Sequence, residues 1–166
     1  MADDKLQQKL VDYVEDAHAM EQSISKMLDS MISTTDDPEI RSMLEHHKKE
    51  TVEHERRLRE RLDALGAGTS TRKQAQTIAT ALMKGVGDMA RTDKPAKNAR
   101  DGFVTEHMEI AAYHLLERLA KKAGDERTAE VARQNRADDE AMARKIHSNW
   151  DRFLELTLAT PGVLAE

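Results

Sequence analysis

The sequence predicts an all-α protein built as an antiparallel four-helix bundle. Charged residues make up 34% of its 166 residues and aromatic residues only 3%, with 3 prolines and 7 glycines, which is typical of long helices. Four long segments carry apolar residues at helical spacing, and no strand pattern, repeat or low-complexity tract competes with them. The length suits one domain with a substantial core.

The first two segments form the first predicted hairpin. Segment A covers about residues 4–33 and segment B about 38–65, and each places its aliphatic residues on one side. Thr34-Thr35-Asp36-Asp37-Pro38 lies between them and supplies a turn, a cap and a proline suited to a helix start. Because this joint is so short, the two helices should be antiparallel neighbours.

The last two segments form the second predicted hairpin. Segment C covers about 97–123 and ends at Gly124, and segment D covers about 126–158 and stops before Pro161. The short joint between C and D again predicts an antiparallel pair.

A long crossover joins the two hairpins. It covers residues 66–96 and includes a shorter helical piece from Arg72 to Ala90. Two hairpins joined in this way are the ferritin-like version of the four-helix bundle. We therefore expect a single ferritin-like domain over residues 1–160, followed by a short tail at 161–166.

Composition limits the classes of function. The chain has no cysteine, which excludes disulfides and thiolate metal sites and fits a cytoplasmic location. No apolar run approaches the ~20 residues of a membrane span, and the start of the chain lacks the apolar core of a signal peptide. The net charge of −5 argues against general nucleic-acid binding. We expect a cytoplasmic protein that binds neither membrane nor nucleic acid.

Several ionisable side chains point into the predicted core. On a wheel of about 100° per residue, these residues coincide in angle with the apolar stripes of their own helices. Those inside the stripes are Glu21, His47, His54, Glu109 and Asp139, and those at the edges are Glu50, Glu106 and Asp138. The other histidines, at 18, 46, 107, 114 and 147, fall outside the stripe centres and are predicted to lie at the surface.

The inward carboxylates point to a metal site. Glu21, Glu50, Glu109 and Asp139 each lie near the middle of their own helix, so a bundle brings them to one level. Carboxylates buried together repel strongly, and divalent cations of iron or manganese type bound between them remove that repulsion. Two alternatives remain open. Arg57 and Arg61 could pair with some of the acids, and each histidine alone could be a core or boundary residue.

The pair Glu50 and His54 adds to this prediction. The two residues are four apart on one helical face and can chelate an ion. This spacing is less specific than the Glu-x-x-His spacing of many di-metal bundles.

The residues also resemble a known family. Glu106-His107-Met108-Glu109-Ile110-Ala111-Ala112-Tyr113 is similar to the EH-x-EIA-x-Y signature of the bacterial stress-associated ferritin-like proteins YciE and YciF. Glu50-Thr51 followed by Arg57-Leu58, the Ala-Met-Glu-Gln at 19–22, and Asp138-Asp139 fall on weaker features of the same family. The resemblance implies a ferritin-like bundle, a homodimer, a dinuclear metal centre and a link to oxidative or osmotic stress.

The leading hypothesis is a dinuclear iron or manganese carboxylate protein that reacts with O₂ or peroxide. Its predicted ligands to two divalent ions are Glu21, Glu50, His54, Glu106, Glu109 and Asp139. Tyr113, one turn beyond Glu109, would support them as a hydrogen-bond partner, or would be a core tyrosine at a helix interface. The alternative is a non-enzymatic stress protein that sequesters metal or acts through a dimer or partner interface.

Overall fold

The computed structural model describes residues 2–67 and 94–161. These residues form five helices and, within the described ranges, no strand. The helices are α1 (Ala2–Ser33), α2 (Pro38–Ala64), α3 (Lys94–Lys122), α4 (Glu126–His147) and α5 (Trp150–Leu158). The predicted crossover helix from Arg72 to Ala90 lies outside the described residues, as does the tail from 162 to 166. No helix in the described ranges has the length and apolar character that crossing a membrane requires.

Side-chain contacts fix the directions of the helices. Gln7 near the start of α1 donates a hydrogen bond to the carbonyl of Ala123, just after α3, so α1 and α3 are antiparallel. Arg61 near the end of α2 binds Thr128 at the start of α4, so α2 and α4 are antiparallel as well. With the hairpins α1–α2 and α3–α4, every neighbouring pair in the bundle runs in opposite directions. This confirms the predicted ferritin-like fold class.

The ends of the helices follow from local chemistry. Asp37 caps α2, because its side chain accepts hydrogen bonds from the backbone N–H groups of Glu39 and Ile40, and Pro38 opens the helix as predicted. Gly124 ends α3 with a φ of 74°, a backbone conformation that glycine adopts without strain. Asp125 then caps α4 by accepting a bond from the N–H of Thr128.

Segment D is two helices rather than the one predicted. The break falls at Ser148 and Asn149, where the Asn149 side chain donates to the carbonyl of Lys145 at 2.7 Å and the Ser148 hydroxyl contacts the carbonyl of Arg144 at 3.1 Å. These side chains satisfy carbonyls at the end of α4. The short α5 then packs against α3.

The core has two apolar clusters separated by a polar layer. The first surrounds Leu10, Leu58 and Leu116, and the second surrounds Ile24, Leu44 and Met142. The prediction that His18 lies at the surface is wrong, since only 9% of it is exposed. α1 contacts both α2 and α3, so its buried face is wider than the apolar stripe alone indicates. The polar layer between the clusters forms the candidate site.

Candidate metal centre

Four buried side chains from three helices converge between the two apolar clusters. They are His47 of α2, Glu106 and Glu109 of α3, and Asp139 of α4. One nitrogen or oxygen from each residue lies within 4.8 Å of the corresponding atoms of the others. None of the four is more than 1% exposed. We call these four residues the central cluster, and its imidazole and carboxylate groups could hold a metal ion.

Most carboxylate oxygens of the central cluster lack a hydrogen-bond partner. Among the described residues, neither oxygen of Glu109, neither oxygen of Asp139 nor Oε2 of Glu106 has one, whereas Oε1 of Glu106 lies 3.1 Å from Nε2 of His47. A buried carboxylate in this situation costs several kcal/mol unless it is protonated, paired or bound to a cation. The donor set and its unsatisfied oxygens therefore fit a divalent ion.

Glu117 of α3 shows how this fold pairs a buried acid when no metal is involved. It is 7% exposed, and its two oxygens contact Lys121 and Arg136, each at 2.6 Å. These cationic partners lower the pKa of Glu117 to about 2. The carboxylates of the central cluster have no such arginine or lysine partner among the described residues. Among the described residues, the cationic side chains beside these carboxylates are therefore the two histidines, His47 and His54.

The pKa values of the acids reflect their burial beside one another. Burial raises the pKa of Glu109 well above its usual value, and the nearby charges of Asp139, Glu21 and Glu106 raise it further. Burial and the charge of Glu21 likewise raise the pKa of Asp139, against the opposing effect of His54. Protons would therefore compete with any metal ion for these oxygens.

His47 lies among carboxylates, which favour its charged form. Burial lowers its pKa, but the contacts with Glu106 and Glu50 outweigh that effect and raise it to about 10. Its Nε2 lies 3.1 Å from Glu106 Oε1, and its Nδ1 lies 3.0 Å from Glu50 Oε2. Without metal, His47 is thus a cation among carboxylates. With metal, Glu50 can hold its Nδ1–H while Nε2 serves as a ligand.

A second polar group adjoins the central cluster. His54 is fully buried, and its Nδ1 lies 3.1 Å from Glu21 Oε1 and 3.8 Å from Asp139 Oδ1. Its Nε2 lies 3.1 Å from Asp138 Oδ2, whose side chain is 35% exposed. Burial lowers the pKa of His54, but Asp138 and Glu21 raise it to about 9. Asp139 therefore lies between the two histidines.

Tyr113 holds Glu21 in place. Its ring is fully buried, and its hydroxyl donates a short hydrogen bond to Glu21 Oε1. The side-chain amide of Asn135 donates to the tyrosine oxygen at 2.9 Å, and Arg57 donates to the Asn135 carbonyl oxygen at 3.0 Å. Tyr113 thus lies where the sequence predicted a supporting residue, one layer away from the central cluster.

Comparison with known proteins identifies the family. The family described as "Domain of unknown function (DUF892)" matches residues 5–159, nearly the whole chain. The chain belongs to the DUF892 family. This confirms the recognition of the YciE/YciF-type family from the sequence signature around Glu106 and Glu109.

Solved structures show the same fold. The DUF892 chain matches the crystal structure of a protein from Xanthomonas campestris with a TM-score of 0.77 at 22% identity, over 93% of this chain and 96% of that one. The E. coli stress protein YciF matches with a TM-score of 0.77 at 15% identity, over 90% and 97% of the two chains. YcfI from Rhodopseudomonas palustris matches with a TM-score of 0.72 at 23% identity, over 86% and 93%.

The structure of this DUF892 protein places the six predicted ligands in three positions. Glu106, Glu109 and Asp139 are members of the central cluster. Glu21 and His54 form the adjoining pair. The side chain of Glu50 is 22% exposed, and its oxygens contact His46 and His47, where the sequence suggested a chelate with His54.

His47 is the member of the central cluster that the predicted ligand set lacks. Its wheel angle placed it inside the apolar stripe of α2, which was the available signal. Its spacing of seven residues from His54 puts both imidazoles on one face, roughly 10 Å apart along the helix axis.

The proposed pairing of the inward acids with arginine is only partly seen. Arg57 contacts Glu53, Asn135 and, at 3.7 Å, the half-exposed Asp138. Arg61 contacts Thr128 and Asp125. Both arginines therefore bind acids at the rim or at the α3–α4 joint.

Proposed function

We propose that this DUF892 protein is a dinuclear iron or manganese carboxylate protein that reacts with O₂ or peroxide in stress protection. The observation that carries the proposal is the central cluster, whose buried carboxylates have no arginine or lysine partner and only histidines as cationic neighbours among the described residues. Imidazole and carboxylate ligands in a helix bundle suit iron and manganese. The stress association is supported by the description of E. coli YciF as a stress protein.

The two polar groups would hold one ion each. His47, Glu106, Glu109 and Asp139 would bind the first ion. Glu21 and His54 would bind the second. Asp139 would contribute to both, because it belongs to the central cluster and approaches His54 to 3.8 Å.

The chain would prepare the site in three ways. The apolar clusters above and below exclude water, which strengthens every electrostatic interaction within the layer. Glu50 orients His47, and Tyr113 orients Glu21, so the ligands are held before an ion arrives. The four carboxylates Glu21, Glu106, Glu109 and Asp139 would together balance the charge of two divalent ions. A bound ion pair of this type supplies Lewis-acid and redox chemistry toward O₂ or peroxide.

Anaerobic titration of the purified, metal-free protein tests the proposal. Fe(II) and Mn(II) should bind at two ions per chain, and the loaded protein should then consume O₂ or peroxide over several turnovers. Glu109→Gln should lose at least one ion, whereas Glu45→Gln, at an exposed position on α2, should bind both. Absence of binding in the unaltered protein would reject the metal centre.

The same titration separates the proposal from its alternative. Two bound ions that leave O₂ and peroxide unconsumed would favour sequestration of metal. Consumption that survives Glu109→Gln unchanged would show that the reaction takes place elsewhere in the protein.

A further inference from the structure

A cavity of about 350 Å³ lies at one end of the bundle, beside the polar layer. All five helices contribute to its wall. Its outer part is lined by the α1–α2 loop, the start of α3 and the end of α5. Its inner part reaches Glu106, a member of the central cluster. The volume lies in the range of small-molecule sites, about 300–1,000 Å³.

The cavity, which we call the channel, extends along α3. Its wall follows α3 from Lys94 to Glu106, and this stretch of helix is about 18 Å long at about 1.5 Å per residue. Only an elongated molecule can contact both ends of this wall.

The middle of the cavity is apolar and adaptable. Its wall there includes Met27, Met31, Met142 and Phe153. Methionine side chains have three rotatable bonds and a polarisable sulfur, so they fit closely around ligands of different length.

Among the described residues of the wall, charged side chains lie only at the two ends. Asp36, Asp37 and Lys94 lie at the outer end, and Glu106 lies at the inner end. Asp37 is paired with Arg152 at 2.6 Å. The outer end thus carries charges of both signs, whereas an anionic group at the inner end would meet the carboxylate of Glu106, which disfavours it there.

Two small residues keep the channel open along α3. Ala99 and Gly102 both line the cavity, and a glycine inside a helix costs roughly 0.5–1 kcal/mol relative to alanine. A Cβ atom added at Gly102 would meet only Ile146 Cδ1, at 3.5 Å, which is an ordinary contact. Packing therefore permits a methyl group at this position, and a larger side chain would extend into the channel.

The inner end of the channel adjoins an unpartnered carboxylate oxygen. Oε2 of Glu106 is buried and has no hydrogen-bond partner among the described residues, while Oε1 contacts His47. A molecule that fills the channel thus has its inner end beside Glu106, a member of the central cluster.

We propose that the cavity binds an extended aliphatic molecule and places an uncharged end of it beside Glu106. Binding of this aliphatic molecule depends only on the cavity. Its role as a substrate of the metal centre rests on the proposed function.

Straight-chain primary alcohols of increasing length, added to the metal-free protein, test the proposal. Calorimetry gives the affinity, and the fluorescence of Trp150 gives a second readout. Trp150 is the only tryptophan of the chain, and its ring contacts the wall residue Phe153 with centroids 6.3 Å apart. The affinity should rise about fourfold per methylene until the chain reaches about 18 Å, and then level off.

Two substitutions at one position provide the matched control. Gly102→Leu should lower the affinity for long alcohols at least tenfold, and Gly102→Ala should leave it within about threefold. Circular dichroism and urea unfolding show whether each variant is folded. If Gly102→Leu does not fold, the dependence of affinity on alcohol length in the unaltered protein still tests the proposal.

The outcomes distinguish this proposal from the proposed function. Affinity that does not depend on chain length, or no binding at all, would overturn the cavity proposal even if Co(II) binds. Length-dependent binding in a protein that takes up no Co(II), iron or manganese would support the cavity and reject the metal centre.

Discussion

Replacing Glu109 by methionine should stabilise the metal-free protein while removing its metal site. Glu109 is fully buried, and neither of its oxygens has a hydrogen-bond partner in the described chain. Methionine has a similar volume and suits an apolar site. Replacement of buried ionic groups by apolar residues of similar size is often stabilising by about 1–4 kcal/mol. We expect about 2 kcal/mol at pH 8, or roughly 4–8 °C in Tm for a chain of this size.

The stabilisation by Glu109→Met should increase with pH. Burial raises the pKa of Glu109 in the folded protein above that of the unfolded chain. The folded state therefore binds the extra proton, and this carboxyl destabilises the protein increasingly as the pH rises from about 4.5 toward the raised pKa. The advantage of Glu109→Met should accordingly be larger at pH 8 than at pH 5.

Urea unfolding of three proteins measures this effect. The unaltered protein, Glu109→Met and the exposed control Glu45→Met should be compared at both pH values, each with and without Mn(II). The control should stay within about 0.5 kcal/mol of the unaltered protein. Mn(II) at 100 times its Kd should add about 2.7 kcal/mol to the unaltered protein and much less to Glu109→Met. A metal-free Glu109→Met less stable than the unaltered protein at pH 8 would refute the reasoning, because it would show that the carboxylate has a favourable partner.

Three further outcomes are expected. Binding of Co(II) should release protons, which an indicator dye in weak buffer measures. The affinity for Co(II) should fall tenfold or more between pH 7.5 and pH 5.5, because the raised pKa of Asp139 favours its protonated form. Asp125→Ala should lower the free energy of unfolding in urea by about 1–2 kcal/mol, since Asp125 caps α4 and also binds Arg61 at 3.0 Å. Gly124→Ala should lower the thermal stability by about 1 kcal/mol through its φ of 74° alone, because nothing lies within 4 Å of the added Cβ.

The fold was predictable because helix periodicity, caps and short joints all agree along the chain. The break in segment D was not predictable in this way. Ile146, Trp150 and Phe153 continue the apolar stripe across Ser148 and Asn149, so periodicity alone extends the helix. The helix ends there because two polar side chains bind its last carbonyls, which is a local competition that a wheel does not represent.

The burial of a site residue was predictable where its angle on the helical wheel lies inside the apolar stripe of its helix. Glu21, Glu109 and Asp139 lay inside their stripes, and all three are fully buried. Edge positions were ambiguous, since Glu106 turns inward and Glu50 stays partly exposed. The distance between His47 and Glu106 depends on how α2 and α3 approach each other, which no single helix specifies.

The two ends of the polar layer have different surroundings, and this difference bears on its chemistry. At the His54 end, Asp138 connects the buried layer to solvent with a side chain that is 35% exposed. At the His47 end, Glu106 borders the apolar cavity. The His47 end also reaches solvent through Glu50, whose side chain is 22% exposed, so the cavity is what distinguishes the two ends. A bundle selected for stability alone would fill this layer with leucine and close the cavity, because both features cost folding free energy.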